Sequence, residues 1–305
     1  MAMNVQSKTA IVTGAGSGIN FCFAKLLLSR GCNVIIADLT LRPEAQELIS
    51  KYSGSSNEGT RAVFQQTDVT EWVQLERMFE LATEQFGGAD IVCPGAGIYE
   101  PPFSNFWIPP NTPPSIDKTS ESRYKVLDIN ITHPIRATQM AMEHFMKRKK
   151  PGVIIHISSI GGQVPFFPTP MYVASKHAIS GFVRSLARLE FPTPDIPKIR
   201  VSAVAPGLIK TPLWTDHPEK MAFLAKDDAE NSAWVTPEFV AEAMLELVES
   251  EKYLGGTILE VGKVVREVQA FNDPGPPEES TAVKHVARET LEADIWASLE
   301  RQYRE

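Results

Sequence analysis

The chain has 305 residues, of which 43% are hydrophobic and 22% charged, and its formal net charge is −7. This composition is typical of a globular protein with ample material for a core, and the acidic balance argues against nucleic-acid binding. No apolar stretch approaches the roughly 20 residues that span a bilayer, and the first residues resemble neither a signal nor a transit peptide. The three cysteines, Cys22, Cys32 and Cys93, lack the spacing of metal ligands and suit a reducing compartment. We therefore expect a cytoplasmic protein without a metal ion, a membrane anchor or a nucleic-acid partner.

Short segments rich in β-branched residues alternate with segments of helical periodicity. The segments predicted as strands are 9–13, 33–38, 61–66, 91–93, 152–157, 200–205 and 257–261. The segments predicted as helices are 19–29, 43–52, 72–86, 172–189 and 237–250. Strands that are apolar throughout and separated by helices indicate a parallel sheet with helices on both faces. The sequence therefore predicts a doubly wound α/β fold of the Rossmann type.

Two irregular segments interrupt this alternation, and each follows a strand on the side where doubly wound folds bind ligands. Residues 99–120 contain six prolines and cannot form a regular element. This segment is either a surface loop or, because of Phe103, Phe106 and Trp107, a wall of the substrate pocket. Residues 208–235 are predicted to form a lid over an apolar substrate. The large apolar residues of this lid are Leu213, Trp214, Met221, Phe223, Leu224 and Trp234.

The C-terminal part of the chain forms a separate unit in this prediction. Residues 1–270, including both irregular segments, are assigned to one domain, and residues 271–305 to a linker and a helical tail. The linker is the proline- and glycine-rich stretch 273–277. Residues 281–304 are predicted to form an amphipathic helix that docks an apolar stripe on the domain or on a partner subunit; a disordered tail is the alternative. The stripe consists of Val283, Val286, Leu291, Ile295 and Leu299, with Trp296 and Tyr303 adding apolar area.

A glycine-rich turn, TGAGSGI over residues 13–19, follows the first predicted strand and opens the first helix. In that context the pattern indicates a phosphate-binding turn. Gly14 permits a tight turn, and Gly18 lets the helix approach the strand and a pyrophosphate closely. The amides near Ser17 and Ile19 can then point at phosphate. An ordinary turn between strand and helix is the alternative.

Asp38 ends the second predicted strand, 20 residues beyond Gly18. That is about the distance expected for the carboxylate that binds the hydroxyls of the adenosine ribose. A carboxylate there repels a 2′-phosphate, and the next residues are Leu39 and Thr40 rather than an arginine. The sequence therefore predicts NAD as the cofactor, with helix capping as the alternative role of Asp38. A second aspartate, Asp68, precedes another helix, where an N-cap role and an adenine contact are both compatible with its position.

Tyr172 and Lys176 lie four residues apart and therefore on the same face of a predicted helix. The pKa of a free phenol is about 10, and a neighbouring ammonium and an oxidised nicotinamide would both lower it. Tyr172 can then transfer a proton while a bound dinucleotide transfers a hydride. Ser159 ends the fifth predicted strand and can hydrogen-bond a substrate oxygen. Asn130 lies in a predicted long helix, where asparagine is unfavourable, and a structural role is its alternative.

These motifs occur in the same order in the short-chain dehydrogenase/reductase family, which the chain resembles over about residues 7 to 265. The motifs are the glycine turn, Asp68-Val69, Asn130, Ser159, Tyr172-Val173-Ala174-Ser175-Lys176 and Pro206-Gly207. The stretch 172–181, the loop 206–211 and the long insertions are similar to the 15-hydroxyprostaglandin dehydrogenase-like branch. The resemblance implies a seven-stranded sheet and a homodimer or homotetramer.

The resemblance also implies a role for each matching residue. Tyr172 would be the acid/base, and Ser159 would orient the carbinol or carbonyl oxygen. Lys176 would bind the nicotinamide ribose and tune the pKa of Tyr172, while Asn130 would hold a water in a proton relay. The residues predicted to bind NAD are Gly14, Ser17, Gly18, Ile19, Asp38, Leu39, Asp68, Val69, Gly95, Ala96, Gly97, Tyr172, Lys176, Pro206, Ile209 and Thr211, the last two at the carboxamide.

The chain departs from the family pattern at two places beside the cofactor. Asn20 stands where the third glycine of the turn is usual. Pro94-Gly95-Ala96-Gly97 stands where the family has Asn-Asn-Ala-Gly, so amide side chains that brace the sheet are missing there. We expect these changes to affect cofactor affinity and to leave the catalytic residues in place.

Two functions fit these features. The first is an NAD-dependent oxidoreductase that interconverts a secondary alcohol and a ketone on a bulky, largely apolar small molecule, such as a lipid, steroid, terpenoid or polyketide. The second is a non-catalytic NAD-binding regulator on the same fold. The intact set of Asn130, Ser159, Tyr172 and Lys176 favours the enzyme, because a regulator would tolerate the loss of one of them.

Overall fold

The computed structural model describes residues 1–54, 59–216, 234–270 and 288–302. The strands in these ranges are β1 (Thr9–Thr13), β2 (Asn33–Asp38), β3 (Ala62–Gln66), β4 (Ile91–Cys93), β5 (Gly152–Ile157), β6 (Ile199–Pro206), β7 (Ile258–Val261) and β8 (Val265–Glu267). The α-helices are α1 (Gly18–Ser29), α2 (Pro43–Lys51), α3 (Trp72–Phe86), α4 (Lys125–Leu127), α5 (His133–Arg148), α6 (Pro170–Ser185), α7 (Pro212–Thr215), α8 (Pro237–Glu249) and α9 (Arg288–Gln302).

The strands form one sheet in the order β3-β2-β1-β4-β5-β6-β7-β8, and β1 to β7 run parallel. The predicted doubly wound α/β fold is therefore confirmed. The chain winds outward from β1 to β3 and then returns to β4 on the other side of β1. A crevice opens between β1 and β4 at the carboxyl ends of the strands, which is where such folds bind ligands.

The predicted count of seven strands is one too low. The eighth strand, β8, pairs antiparallel with β7, and Val261 lies opposite Val265. A short turn over residues 262–264 reverses the chain, and in this turn the amide of Gly262 donates a hydrogen bond of 3.2 Å to the carbonyl of Val264. Because β8 has only three residues and its side chains are largely exposed, it carries no apolar alternation that would mark it in the sequence.

Helices cover both faces of the sheet. On one face α1 packs against α8, and Phe23, Leu27 and Met244 are fully buried between them and the strands. On the other face α3, α5 and α6 contribute buried side chains such as Phe145 and Val183. Burying each such large apolar side chain stabilises the fold by roughly 1.5–3 kcal/mol. This two-sided core holds the carboxyl ends of the strands, and the loops that follow them, in fixed positions.

Helix α9 lies against the main body of the chain. Trp296 and Leu299 are partly buried against the core cluster that α3, α5 and α6 cover, and Thr193 Oγ1 donates a hydrogen bond of 2.8 Å to Glu300. Ile295 is 58% exposed, so its predicted place in the docking stripe is wrong. The reason is that Trp296, Leu299 and Glu300 share the inward face at helical spacing, which turns Ile295 toward solvent. Other predicted stripe positions, Val283 and Val286, lie outside the described residues, as do Tyr303 and the linker.

Candidate functional site

A cavity of about 530 Å³ opens at the carboxyl ends of β1, β4, β5 and β6. All the residues predicted to bind NAD line this cavity, and so do Ser159, Tyr172 and Lys176. Asn130 lies just outside the lining, next to Ile98. The fold therefore brings together groups that are up to 197 positions apart in the chain, from Gly14 to Thr211.

The glycine turn at the start of α1 forms one end of the cavity. Gly14 and Gly18 have φ angles of +71° and +63°, a region that residues with a Cβ rarely adopt. A Cβ at Gly14 would lie only 2.8 Å from the Cα of Ala96, and a Cβ at Gly16 would collide with the carbonyl of Thr40. The missing side chains leave room for a ligand against the backbone at a helix N-terminus, where amides and the helix dipole favour phosphate. This cradle fits a dinucleotide.

Asp38 lies beside this cradle at the end of β2. Its Oδ2 accepts a hydrogen bond of 2.8 Å from the amide of Gly16. The carboxylate does not cap α2, which begins at Pro43 with Arg42 as its N-cap residue, so the capping alternative is wrong. Asp38 thus ties the glycine turn to β2 and presents a negative charge to the cavity.

Asp68 and Val69 line the cavity next to β3 and α3. Asp68 does not act as the N-cap residue of α3, a position that Glu71 holds. Its Oδ1 instead accepts hydrogen bonds from the amide and hydroxyl of Thr70, at 2.9 and 2.7 Å. Although burial opposes ionisation, these bonds and the ammonium of Lys125 hold the pKa of Asp68 below its usual range. Asp68 is therefore a fixed anionic acceptor.

Three of the predicted catalytic residues meet in the middle of the cavity. Tyr172 and Lys176 lie on one face of α6, and the Lys176 Nζ is 5.5 Å from the centre of the Tyr172 ring. The same ammonium donates a hydrogen bond of 2.9 Å to the carbonyl of Ile157 at the end of β5. Ser159 follows β5, and its hydroxyl interacts with the Tyr172 phenol and favours the phenolate. A hydroxyl, a phenol and an ammonium in this arrangement can bind an oxygen and move a proton on or off it.

Asn130 lies in a single π-helical turn, Asp128–Thr132, between α4 and α5. The predicted long helix is therefore interrupted at this residue, as π turns often are at functional sites. Asn130 Oδ1 accepts a hydrogen bond of 2.9 Å from the amide of Ile98, and its Nδ2 donates one of 2.9 Å to the carbonyl of Ile98. The Nδ2 also lies 3.3 Å from Ser175 Oγ on α6. Asn130 thus joins the loop after β4 to the helix that carries Tyr172.

The part of the chain that forms this site matches the model of a known family. A family model described as short chain dehydrogenase matches residues 8–222. The chain belongs to this family. The resemblance inferred from the motifs is confirmed.

Similar proteins with assigned activities include two dehydrogenases and a reductase. A 15-hydroxyprostaglandin dehydrogenase (NAD+) from Bos taurus is 29% identical over 269 residues, which cover 85% of this chain and 92% of that protein. The 3beta-hydroxysteroid dehydrogenase 1 of Eggerthella lenta is 31% identical over 210 residues, 69% of this chain and 74% of that protein. A solved structure of 3-ketoacyl-(acyl-carrier-protein) reductase from Brucella melitensis, complexed with NADH, has a TM-score of 0.67 and 25% identity and covers 85% of this chain and 98% of its own. This chain is an NAD-dependent dehydrogenase that acts on CH–OH groups.

Burial shifts the pKa values of the dehydrogenase's two central groups. Desolvation raises the pKa of Tyr172 to about 12, although the hydrogen bond from Ser159 opposes the shift. Desolvation also lowers the pKa of Lys176 to about 8. In the protein side chains taken alone, burial therefore opposes the expected lowering of the phenol pKa. Additional positive charge beside the phenol would act in the opposite direction and favour the phenolate.

Two aromatic side chains of the site were recognised in the sequence only as parts of irregular segments. Tyr99 lies with its ring centre 4.7 Å from that of Tyr172 and 4.7 Å from that of Trp214. Tyr99 and Trp214 are almost fully buried. Their positions after β4 and β6 are the signal that identifies them, since loops at these strand ends face the crevice. They give the catalytic end of the cavity an apolar, aromatic wall.

The proline-rich segment contributes less to the cavity than one of its two interpretations proposed. Phe103, Phe106 and Trp107 do not line the cavity and are 37%, 54% and 48% exposed. Trp107 packs on Phe167, with ring centres 4.7 Å apart, at the surface. The pocket-wall role therefore belongs to Tyr99 at the start of the segment, and the three later aromatics belong to a surface loop.

Glu100 is a buried carboxylate that the sequence did not single out. Its Oε2 accepts a hydrogen bond of 2.9 Å from the amide of Tyr172, and its Oε1 accepts one of 3.0 Å from the amide of Phe106. Thr169, the N-cap residue of α6, provides no side-chain cap. Burial raises the pKa of Glu100, although these amides oppose the shift. Glu100 thus caps the helix that carries Tyr172 and joins it to the proline-rich segment.

The described residues contain neither a helix long and apolar enough to cross a bilayer nor a group of three or more His, Cys, Asp or Glu side chains placed to hold a metal ion.

Replacing Asp38 with asparagine should weaken the preference of the dehydrogenase for NAD over NADP. Asparagine can still accept the hydrogen bond from Gly16, whereas the negative charge that repels a 2′-phosphate is lost. We expect the ratio of kcat/KM with NAD to kcat/KM with NADP to fall at least about tenfold, which corresponds to roughly 1.4 kcal/mol. Asp68→Asn, which changes the other carboxylate of the cavity, is the matched control and should leave this ratio within about threefold of its original value. Equal use of both cofactors by the unchanged protein would contradict the assignment.

Proposed function

We propose that this dehydrogenase interconverts a secondary alcohol and a ketone on a bulky, largely apolar small molecule, such as a lipid, steroid, terpenoid or polyketide. The observation that carries the proposal is the aromatic wall of Tyr99 and Trp214 against the ring of Tyr172. A small polyol would leave that wall without a partner, whereas an apolar ring or chain would cover it. The relatives named above are a dehydrogenase of prostaglandins, a dehydrogenase of steroids and a reductase of ketoacyl groups, and nothing among them favours the regulator alternative.

In the proposed mechanism the protein binds the substrate oxygen and moves its proton. Ser159 and Tyr172 both hydrogen-bond the oxygen of the substrate. In the oxidative direction the phenolate of Tyr172 accepts the hydroxyl proton while a hydride leaves the carbinol carbon; in the reductive direction the phenol returns the proton to the carbonyl oxygen. When bound, the nicotinamide cofactor supplies the hydride acceptor or donor.

Lys176 supports this proton transfer in two ways under the proposal. Its ammonium is held by the carbonyl of Ile157, which leaves further N–H donors for the ribose hydroxyls of the cofactor. Its positive charge stabilises the phenolate of Tyr172 against the cost of burial. Asn130, which is fixed by Ile98 and Ser175, is assigned to a proton relay through a water.

A substrate series tests the proposal. Secondary alcohols of increasing apolar size should show rising kcat/KM, measured by the absorbance of reduced nicotinamide. Trp214→Ala should lower kcat/KM most for the largest substrates, by about tenfold, because roughly 1–2 kcal/mol of buried aromatic contact is lost. Trp72→Ala, which removes a tryptophan exposed on α3, is the control and should leave the preference unchanged. The proposal fails if small polyols or sugars are turned over best.

We propose a homodimer or homotetramer in the cytoplasm, with residues 1–270 as the catalytic domain and 271–305 as a linker and tail. Light scattering on the purified full chain would measure its oligomeric state, and a monomer would contradict the first of these proposals.

A further inference from the structure

The two departures from the family pattern meet in space. Asn20 lies in the first turn of α1, is 8% exposed and lines the cofactor end of the cavity. Gly95 lies in the loop after β4, also in the lining. A Cβ placed on Gly95 would be 2.6 Å from both Cγ and Nδ2 of Asn20. The amide group of Asn20 therefore occupies the space that a side chain at position 95 would need.

The backbone of Gly95 does not itself require a glycine. Gly14 and Gly18 have positive φ angles, whereas Gly95 does not. A residue with a side chain could adopt the conformation of Gly95, so the obstacle at this position is the amide of Asn20. Asn20 has only two side-chain torsions and is buried on a helix, so its amide has little room to move away from such a side chain.

The Asn20 amide lies where three segments of the cofactor site meet. Its Nδ2 is 3.1 Å from the position of a Cβ on Gly14, and Cys93 Sγ is 3.9 Å from its Oδ1. Close by, the amide of Ala96 donates a hydrogen bond of 3.1 Å to Thr13 Oγ1. The side chain thus fills the gap between the glycine turn and the loop after β4.

We propose that Asn20 and Gly95 form a coupled pair in which the amide that usually projects from the loop after β4 projects from α1 instead. The two departures are then a single exchange of an amide between two facing segments. In this role Asn20 is a positioning residue, which holds the glycine turn and residues 95–97 at the spacing that NAD requires. Gly95 is the necessary partner, because only a residue without a side chain leaves room for the amide.

A double-mutant cycle tests the coupling. Gly95→Ala in the unchanged protein should weaken NADH binding at least about tenfold and lower the melting temperature, because its methyl group meets the Asn20 amide. In the Asn20→Gly background, the same Gly95→Ala change should alter the NADH affinity by less than about threefold. The exchange variant Asn20→Gly/Gly95→Asn should bind NADH within about threefold of the unchanged protein, whereas Gly95→Asn alone should bind far more weakly. Binding is followed by NADH fluorescence, and stability by melting with and without NADH.

Gly181→Ala is the matched control for a glycine substitution, since a Cβ there meets nothing within 4 Å. It should leave NADH binding unchanged. If Gly95→Ala weakens binding equally in both backgrounds, or if the exchange variant is worse than both single variants, the coupling is refuted. If Gly95→Ala does not fold, recovery of soluble protein in Asn20→Gly/Gly95→Ala supports the proposal, and failure of both variants to fold overturns it.

Discussion

Tyr172→Phe is expected to lower kcat by about 10²- to 10⁴-fold, which is the usual contribution of a general acid or base. The phenylalanine ring keeps the contact with Tyr99 and the shape of the cavity, and only the hydroxyl that exchanges the proton is lost. NADH affinity should therefore stay within a few-fold of its original value. Steady-state turnover of a secondary alcohol and NADH fluorescence titration measure the two quantities separately.

Tyr99→Phe is the matched control for this result. Tyr99 packs against Tyr172, but its hydroxyl is paired only with Thr169 Oγ1, at 3.5 Å, among the hydrogen bonds of the described residues. Its loss should change kcat only a few-fold. If kcat of Tyr172→Phe also remained within a few-fold of the unchanged protein, Tyr172 would have no part in proton transfer.

The pH dependence of oxidation tests the same residue. Since oxidation requires the phenolate and burial favours the phenol, kcat/KM for alcohol oxidation should rise with pH below the pKa of Tyr172.

Glu190→Gln is expected to lower the free energy of unfolding by roughly 3–5 kcal/mol, because it leaves a buried charge without its partner. Arg200 is fully buried, and its Nε and Nη2 donate hydrogen bonds of 3.1 and 2.9 Å to Glu190 Oε1. Glu190 is 2% exposed and also accepts from the amide of Gly255 and the N-terminal ammonium of Met1. Urea unfolding followed by circular dichroism would measure the loss.

The control for this substitution is Glu84→Gln, which breaks an exposed pair with Arg77 on α3 and should leave the unfolding midpoint nearly unchanged.

The pH dependence of the unfolding free energy provides a second check. Although burial opposes it, the hydrogen bonds from Arg200 hold the pKa of Glu190 below its usual range. The stabilisation is therefore present above the unfolded value of about 4.3 and is lost as the pH falls through the lower folded value. Glu190→Gln should lack this acid-dependent loss, and a midpoint unaffected by the substitution would contradict the prediction.

Local patterns in the sequence were sufficient to predict most of the candidate cofactor site. The glycine turn is predictable because positive φ angles at Gly14 and Gly18 are a local requirement of a tight turn. Tyr172 and Lys176 share a face because four residues are about one helical turn. Residues at the ends of successive parallel strands converge, which explains why Asp38 and Ser159 both line the cavity.

The surface loop beside the cavity and the short edge strand were harder to predict from the sequence. Phe106 and Trp107 have the composition of a pocket wall, yet their rings pack on each other, and Trp107 packs on Phe167 at the surface. The short strand β8 has no sequence signal, since its side chains are mostly in solvent. In both cases the outcome depends on how a loop packs, which short-range periodicity does not specify.

By itself the sequence determined the seven parallel strands, the doubly wound fold, the glycine turn and the use of NAD, because periodicity, turn geometry and residue type act over a few neighbouring positions. Only the tertiary structure decided that Glu100 caps the helix of Tyr172, that Asn20 fills the space left by Gly95, and that the phenol pKa is raised. Each of these depends on groups brought together from distant parts of the chain. Burial and steric exclusion arise from packing in three dimensions, and so they are determined only once the whole chain has folded.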